Sequence, residues 1–193
     1  MPRPRSQSRQ RIVASAQVLL RRQGYQGTGL SQIIDASGAP RGSVYYLFPG
    51  GKEQIAVEAV AASAVEFDHL IGTAFDATDS LPEWIGAMAR HFTESLDGTG
   101  YRDGCPITTI TLDSVPGSAA LTDACRAAYE TWAGSLTRAL AHYGVPGTEA
   151  RSIALFILTS LEGSLVLCRA YQSTDPLTDA ARHILTVLAP YTR

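Results

Sequence analysis

Apolar residues recur at helical spacing along almost the whole chain. Proline lies in the first turn of two of the predicted segments, at Pro82 and Pro176, where its missing N–H group costs nothing. Asp175 can cap the last segment, and Gly24 ends the first. The predicted long helices cover residues 8–23, 52–72, 82–96, 119–143, 147–173 and 175–190.

The stretch that begins at Thr28 instead predicts two short helices joined by a tight turn. Thr28 can cap the first helix, and Gly38 can end it, because glycine enters the left-handed conformation cheaply. Pro40 suits the first turn of the second helix. Two helical turns are not stable alone in water, so the apolar side chains of Val44 and Phe48 are predicted to pack on the first helix.

The opposite face of this second helix carries side chains whose chemistry is suited to DNA. The Arg41 guanidinium can pair with guanine edges or with phosphates, and the hydroxyls of Ser43, Tyr45 and Tyr46 can reach phosphate oxygens. A short helix with this face, placed in the major groove, is the second helix of a helix-turn-helix motif.

The run T-x-L-x-x-I-x-x-x-S-G-A-x-x-G-S-V-Y-Y-x-F-P-x-x-K-E, together with the helix before it, resembles the N-terminal domain of TetR-type transcriptional regulators. Pro40 stands where such proteins usually carry Ser or Thr, and Leu47 stands where His is common. The pair Gly50-Gly51 makes the link to Lys52 one residue longer than usual. This sequence pattern, with GCP at 104–106, resembles the subgroup that includes lincomycin-responsive and flavonoid-responsive repressors.

The resemblance implies an all-α protein. Its N-terminal three-helix helix-turn-helix domain would cover residues 1–53, and a C-terminal helical ligand-binding and dimerisation domain would cover residues 54–193. Residues 105–114 favour a strand by composition, but the resemblance makes them a short helix. The expected partners are a near-palindromic double-stranded DNA operator, a small-molecule effector and a second copy of the chain. The expected DNA contacts are Thr28, Tyr46 and Lys52 to phosphates, and Arg41, Ser43 and Tyr45 in the groove.

The charge distribution agrees with a DNA-binding N-terminal end. Residues 1–53 carry eight lysines and arginines and two acidic residues, a net charge of +6, whereas the rest of the chain carries −8. A basic N-terminal part and an acidic remainder suit a protein that binds a polyanion with one end and is repelled from it at the other.

Cysteine usage and hydropathy indicate a cytoplasmic protein. Three cysteines without a CxxC pair predict neither a disulfide framework nor a structural zinc site. The basic N-terminus is expected to be a loose arm, because no apolar core of a signal peptide follows it. The apolar run 153–168 contains Glu162 and is shorter than the roughly 18 residues of a membrane span, so we expect a buried helix and no membrane association.

No catalytic chemistry, metal or cofactor is predicted. The histidines at 69, 91, 142 and 183 lie in separate helices without a carboxylate at a ligand spacing. Cys105 precedes a proline, which suggests a nucleophile as one hypothesis. A small buried thiol is the favoured alternative, because the sequence indicates no base that would activate a nucleophile.

The aromatic residues of the C-terminal part form either a core or the lining of an apolar pocket with a few polar groups. Glu162 has three interpretations: it lines that pocket, it pairs across a dimer seam with an arginine such as Arg169, or it is exposed. The predicted lining is Phe67, Trp84, Met88, His91, Phe92, Ile107, Thr111, Tyr129, Trp132, Leu158 and Glu162.

The last two long helices are expected to form a two-fold dimer, because the run 153–168 is apolar on more faces than one core can bury. Small residues within it would let two backbones approach closely. The predicted seam is Phe156, Ile157, Ser160, Leu161, Ser164, Leu165, Ile184, Leu185 and Leu188.

Two functions are compatible with these features. The first is a homodimeric, ligand-responsive transcriptional regulator that acts as a repressor. The second is a small helical enzyme or structural binding protein whose basic head serves something other than sequence-specific DNA. Affinity for DNA in the presence of competitor DNA distinguishes them.

Overall fold

The computed structural model describes residues 5–191, with side chains from residue 7, so residues 1–4 of the expected N-terminal arm lie outside it. Within this range the chain is helical and has no strand, which confirms the all-α prediction. The helices are α1 Arg5–Gln23, α2 Leu30–Ser37, α3 Arg41–Leu47, α4 Gly51–Asp76, α5 Leu81–Thr99, α6 Pro106–Ser114, α7 Ala119–His142, α8 Gly147–Tyr171 and α9 Asp175–Leu188.

The described chain divides into two compact units. The first unit contains the residues up to Ala64 together with Cys105–Ala128, and the second contains Val65–Gly104 and the residues from Tyr129 onward. Both α4 and α7 therefore begin in the first unit and end in the second. The predicted boundary at residue 53 stays a prediction.

The core of the first unit includes buried side chains from each of its first four helices. Ile12 on α1, Ile33 on α2, Val44 on α3 and Ile55 on α4 are at most 1% exposed. Gly38 ends α2 with a left-handed φ of +59°, as predicted. The short α2 and α3 are thus held by burial against α1 rather than by their own helical stability.

Helix α6 packs on α1 within the first unit. The Thr109 hydroxyl donates to the Leu20 carbonyl at 2.8 Å, and the Asp113 carboxylate accepts the Gln26 backbone N–H at 2.9 Å. The helix prediction for this segment is confirmed despite its strand-like composition, because the segment has a helix, and no strand, as its neighbour.

The second unit is a bundle whose helix starts follow the predicted signals in part. Ser80 caps α5 by accepting the Glu83 N–H at 3.4 Å, and Pro82 lies in the first turn. The helix runs to Thr99, beyond the predicted end, before Gly100 ends it at φ +58°. For α9 the cap prediction is wrong, because Asp175 is the first helical residue and Thr174 precedes it as the cap.

Candidate nucleic-acid interface and effector site

Helix α3 presents the polar face that the sequence predicts. Tyr45 is 53% exposed and Tyr46 is 69% exposed, Arg41 is also exposed, and Ser43 is half-buried. Val44, on the other side, is buried. Four of the six predicted DNA-binding side chains therefore lie on a helix of seven residues.

The turn before α3 fixes the direction in which the helix starts. The Ser37 hydroxyl donates to the Ile34 carbonyl at 2.9 Å and accepts the Ala39 N–H at 3.2 Å. The Pro40 carbonyl then accepts the Ser43 N–H at 2.9 Å, but no side chain caps the helix. The proline thus sets φ at the start of the helix, and its carbonyl, not a side chain, accepts the first N–H bond of the turn.

Lys52 lies in the first turn of α4 and is held by Tyr25. Its ammonium donates to the Tyr25 carbonyl at 3.0 Å and lies 3.9 Å from the centre of the Tyr25 ring, a cation–π distance. Partial burial, with Glu53 and Asp113 nearby, raises the pKa of the Tyr25 phenol above its usual value. The predicted phosphate ligand is therefore pre-oriented, and no sequence spacing indicates this pairing.

Thr28 does not cap α2. It is fully buried, and its hydroxyl donates back to the Gly24 carbonyl at 2.6 Å. Gly29 is the cap instead, and its N–H donates to the Gln32 side chain at 2.7 Å. The cap prediction is wrong because the Thr28 hydroxyl is used to end α1; a phosphate contact at this residue stays a prediction.

Five of the predicted pocket residues form a chain of rings in the second unit. The Phe67 and Trp132 ring centres are 4.6 Å apart in an edge-on arrangement. Phe67 also contacts Phe92 at 5.6 Å, and Tyr129 lies 5.7 Å from Trp132. His91 meets Phe92 at 5.6 Å. We refer to these five residues as the Phe67 cluster.

Trp84 belongs to a different set of rings. Its indole N–H donates to the Ile71 carbonyl at 3.3 Å, and its ring lies 5.9 Å from that of Tyr143. Tyr143 in turn contacts Phe75 at 5.4 Å. Trp84 is fully buried and its N–H has a partner, so it lies apart from the other predicted lining rings, and its lining role stays a prediction.

The remaining predicted lining residues are divided between the two units. Met88 and Leu158 are buried in the second unit, and Glu162 is half-buried there, so its three interpretations stay open. Ile107 and Thr111 lie on α6 in the first unit. A pocket that contains both groups stays a prediction.

His91 is exposed and borders an open groove of about 290 Å³ in the second unit. The other three histidines are exposed as well. Among the residues that the structure describes, no three His, Cys, Asp or Glu side chains are grouped as metal ligands would be. The other residues that line the groove are Leu70, Thr73, Ala74, Ala87, Arg90 and Glu94.

Most of the predicted seam residues face the core of the protomer itself. The buried ones leave almost no surface for a second copy; they are Ile157, Leu161, Ser164, Leu165, Ile184 and Leu188. Phe156 is 42% exposed, and Ser160 and Leu185 are half-buried. The buried residues of the predicted seam therefore offer little surface to a partner, and the position of the seam stays a prediction. Both faces of α8 are apolar, so spacing alone does not say which one is inside.

The exposed face of α8 is a second apolar stripe at helical spacing. We define the α8 stripe as Leu155, Phe156, Thr159, Gly163, Val166 and Leu167, all of which are exposed. By length and composition α8 is also long and apolar enough to cross a membrane, although 44% of its apolar window is buried inside the protein. A helix with one face in a protein core has only the other face to offer to a partner.

Two family models match the chain. Residues 12–59 match the family described as bacterial regulatory proteins, tetR family. Residues 82–183, just over half of the chain, match the C-terminal domain of LmrA/YxaF-like transcriptional regulators.

Relatives of known sequence are similar over nearly the whole length. The HTH-type transcriptional regulator LmrA of Bacillus subtilis is 34% identical over 170 residues, which cover 88% of this chain and 90% of LmrA. The uncharacterized HTH-type transcriptional regulator YxaF of the same organism is 32% identical over 180 residues, 93% of this chain and 94% of YxaF. Both descriptions are of transcriptional regulators and not of enzymes.

Solved structures have the same fold. Regulatory protein TetR from Rhodobacter sphaeroides has a TM-score of 0.83 at 19% identity, covering 95% of this chain and 98% of that one. A TetR transcriptional regulator from Chloroflexus aurantiacus has a TM-score of 0.79 at 26% identity, covering 98% of both chains. With the polar face of α3 and both family models, these similarities show that the chain belongs to the TetR family of DNA-binding transcriptional regulators, in the branch with an LmrA/YxaF-like C-terminal domain.

Proposed function

We propose that this regulator is a cytoplasmic repressor that binds a near-palindromic operator as a homodimer and leaves it when a small, mostly apolar molecule binds. The observation that carries the DNA part is the exposed face of α3, with Arg41, Tyr45 and Tyr46 on a helix whose other side is buried. Two such helices related by a two-fold axis would enter successive major grooves, about 34 to 36 Å apart.

The DNA contacts divide into base reading and phosphate binding. If Arg41 pairs with a guanine edge, Arg41→Ala costs about 1 to 3 kcal/mol of binding free energy and relaxes preference at one base pair. If Lys52 binds a phosphate, Lys52→Ala weakens binding to all sequences alike and lowers the slope of log K against log salt by about one.

Both variants are compared on a duplex selected from a random pool by the wild-type protein. Fluorescence anisotropy over a salt series gives the affinity and the slope. Arg126→Ala is a matched control, since Arg126 is exposed on the first unit and pairs with Asp123, three residues earlier on α7. Wild-type affinity and slope in both the Arg41 and Lys52 variants would refute the assignment.

A second copy of the chain is the proposed occupant of the α8 stripe. The family's regulators dimerise, and a stripe of Leu, Phe and Val at helical spacing, interrupted by Gly163, would let two helices approach closely. Phe156→Glu and Val166→Glu place charges in that contact, so we expect monomers at micromolar concentration in light scattering. Leu112→Glu is the control, because Leu112 is 75% exposed but lies on α6, outside the stripe. A wild-type monomer at that concentration would contradict the proposal.

The effector is proposed to bind beside the Phe67 cluster. Its rings offer flat apolar contacts with few polar groups, which favours a flat or bulky, mostly apolar molecule. Phe67 and Lys52 lie on the same helix, 15 residues or about 22 Å apart along its axis. A ligand that prefers one placement of α4 would thereby change the placement of Lys52 and α3.

The required coupling is modest. A hundredfold loss of operator affinity corresponds to about 2.7 kcal/mol of difference in ligand binding between the two states, shared by two protomers. Trp132→Leu should remove the response to compounds that release the wild type, while operator affinity stays within a few-fold. Trp84→Phe is the control and should respond as the wild type does. An intact response in the Trp132 variant would move the effector site away from this cluster.

A further inference from the structure

Helix α3 has only seven residues, and its last carbonyl groups need partners outside the helix. Arg9 of α1 supplies one, since its Nη1 donates to the Leu47 carbonyl at 2.9 Å. The same guanidinium lies 4.5 Å from the centre of the ring of Phe48, the residue that follows α3. One side chain therefore contacts the end of α3 through both a hydrogen bond and a cation–π contact, and its positive charge suits a helix C-terminus.

Arg9 is itself held by α4. Its Nε donates to Oε2 of Glu58 at 2.9 Å, and its Nη2 donates to Oε1 of the same carboxylate. Such a two-point pair fixes the guanidinium in a plane as well as in position.

Gln54 extends the contact to the turn between α3 and α4. Its Nε2 donates to Glu58 at 3.3 Å, and its Oε1 accepts the Gly50 backbone N–H at 3.0 Å. The chain of bonds from Arg9 through Glu58 and Gln54 thus grips the C-terminal end of α3 and the turn that follows it.

We infer that Arg9 is a positioning residue for DNA recognition: paired with Glu58, it sets the orientation of α3 without contacting DNA itself. This inference rests on the proposed role of α3 in operator binding. The Nε and Nη2 edge of the Arg9 guanidinium, which could hold a phosphate at two points, is already paired with Glu58, and Nη1 donates to the Leu47 carbonyl. Pairing at partial exposure, 40% for Arg9 and 29% for Glu58, contributes through geometry more than through raw charge attraction.

Direct phosphate binding by Arg9 makes the opposite prediction for Glu58. If Arg9 positions α3, Glu58→Gln weakens the two-point pair and lowers operator affinity several-fold. If Arg9 binds phosphate, Glu58→Gln removes a competing carboxylate and tightens binding. The sign of this one change separates the two roles.

The test uses full-length protein and the duplex selected by the wild type, with anisotropy over a salt series. We expect Arg9→Ala to weaken binding about tenfold, which is about 1.4 kcal/mol, with an unchanged salt slope and a broader base preference in the selected pool. Arg9→Lys should bind as weakly as Arg9→Ala, because an ammonium cannot form the two-point pair with Glu58. If residue 9 instead bound a phosphate directly, Arg9→Lys should keep most of the affinity. Arg126→Ala should bind within twofold of wild type.

Thermal unfolding of each variant is measured alongside. If Arg9→Ala unfolds at the assay temperature, Glu58→Gln, which keeps the shape of the side chain, decides the question. Unchanged or tighter binding by Glu58→Gln, or a slope lowered by about one in Arg9→Ala, overturns the inference. A wild type that selects no duplex would refute the proposed DNA function itself, whereas a wild type that binds and an Arg9→Ala variant that binds equally refute only the positioning role.

Discussion

Replacing Gly24 by alanine tests how tightly α6 is seated on the end of α1. Gly24 has a φ of +71°, and a Cβ atom there would lie 2.4 Å from Oδ2 of Asp113. That oxygen accepts the Gln26 N–H at 2.9 Å. Alanine therefore imposes a left-handed conformation on a residue with a side chain, and it also displaces the carboxylate that bonds the α1–α2 turn.

The magnitude follows from two separable contributions. A left-handed conformation costs a non-glycine residue about 1 to 2 kcal/mol. Loss of the Asp113–Gln26 hydrogen bond adds about 1 kcal/mol. Gly38→Ala provides the first contribution alone, because Gly38 has a φ of +59° and nothing within 4 Å of the added Cβ. Any gain from a less flexible unfolded chain is common to both variants and cancels in the comparison.

The free energy of unfolding is measured in denaturant by far-UV circular dichroism at one protein concentration, since the proposed dimer would make stability depend on concentration. Both tryptophans lie in the second unit, so tryptophan fluorescence follows that unit separately. We expect Gly24→Ala to cost about 1 kcal/mol more than Gly38→Ala. In an Asp113→Ala background this excess should vanish. Equal costs in the two alanine variants, or an excess that survives without Asp113, would refute the steric argument.

Three further outcomes are expected. Tyr25→Phe should leave DNA affinity within twofold of wild type, because the ring and the carbonyl that contact Lys52 remain. Tyr25→Ala should weaken DNA affinity several-fold in anisotropy. Equal affinities of the two variants would show that the Tyr25 ring does not support Lys52 in DNA binding. Ser63→Ala should cost about 1 kcal/mol in denaturant unfolding, because it removes the 3.0 Å hydrogen bond that the buried Gln17 amide donates to Ser63. Ser31→Ala at the exposed surface should stay within about 0.5 kcal/mol. Burial raises the pKa of the Cys125 and Cys168 thiols, so fewer thiolates form at a given pH. A thiol-specific reagent should therefore label the half-buried Cys105 first at neutral pH, label the other two cysteines faster as the pH rises, and label all three in denaturant. Early labelling of Cys125 at neutral pH would contradict this.

The sequence predicts those parts of the fold that depend on local chemistry. Helical spacing places every long helix, and Gly38 ends α2 because few other residues adopt its left-handed φ without cost. The polar face of α3 also follows from the sequence, since Val44 and Phe48 define its buried side. These features need no knowledge of distant residues.

Features that depend on contacts between distant residues were not predictable. Thr28 has the chemistry of a cap, but its hydroxyl bonds the Gly24 carbonyl, and Gly29 takes the cap position. Arg9 lies 49 residues from Glu58 in the sequence, and no motif connects them. On α8 both faces are apolar, so only packing decides that Leu161 is inside and Val166 outside.

The first unit is assembled from two separated pieces of chain, and this matters to anyone who builds chimeric regulators. Grafting only the residues before Ala64 onto another effector module would remove Thr109 from the Leu20 carbonyl and Asp113 from the Gln26 N–H. It would also remove Ser118, whose hydroxyl donates to Glu53 at 2.6 Å beside Lys52. A transplant that keeps the operator specificity of this protein should therefore carry α6 and the first half of α7 along with α1 to α4, with the junctions cut inside α4 and α7 where the host helices can continue in phase.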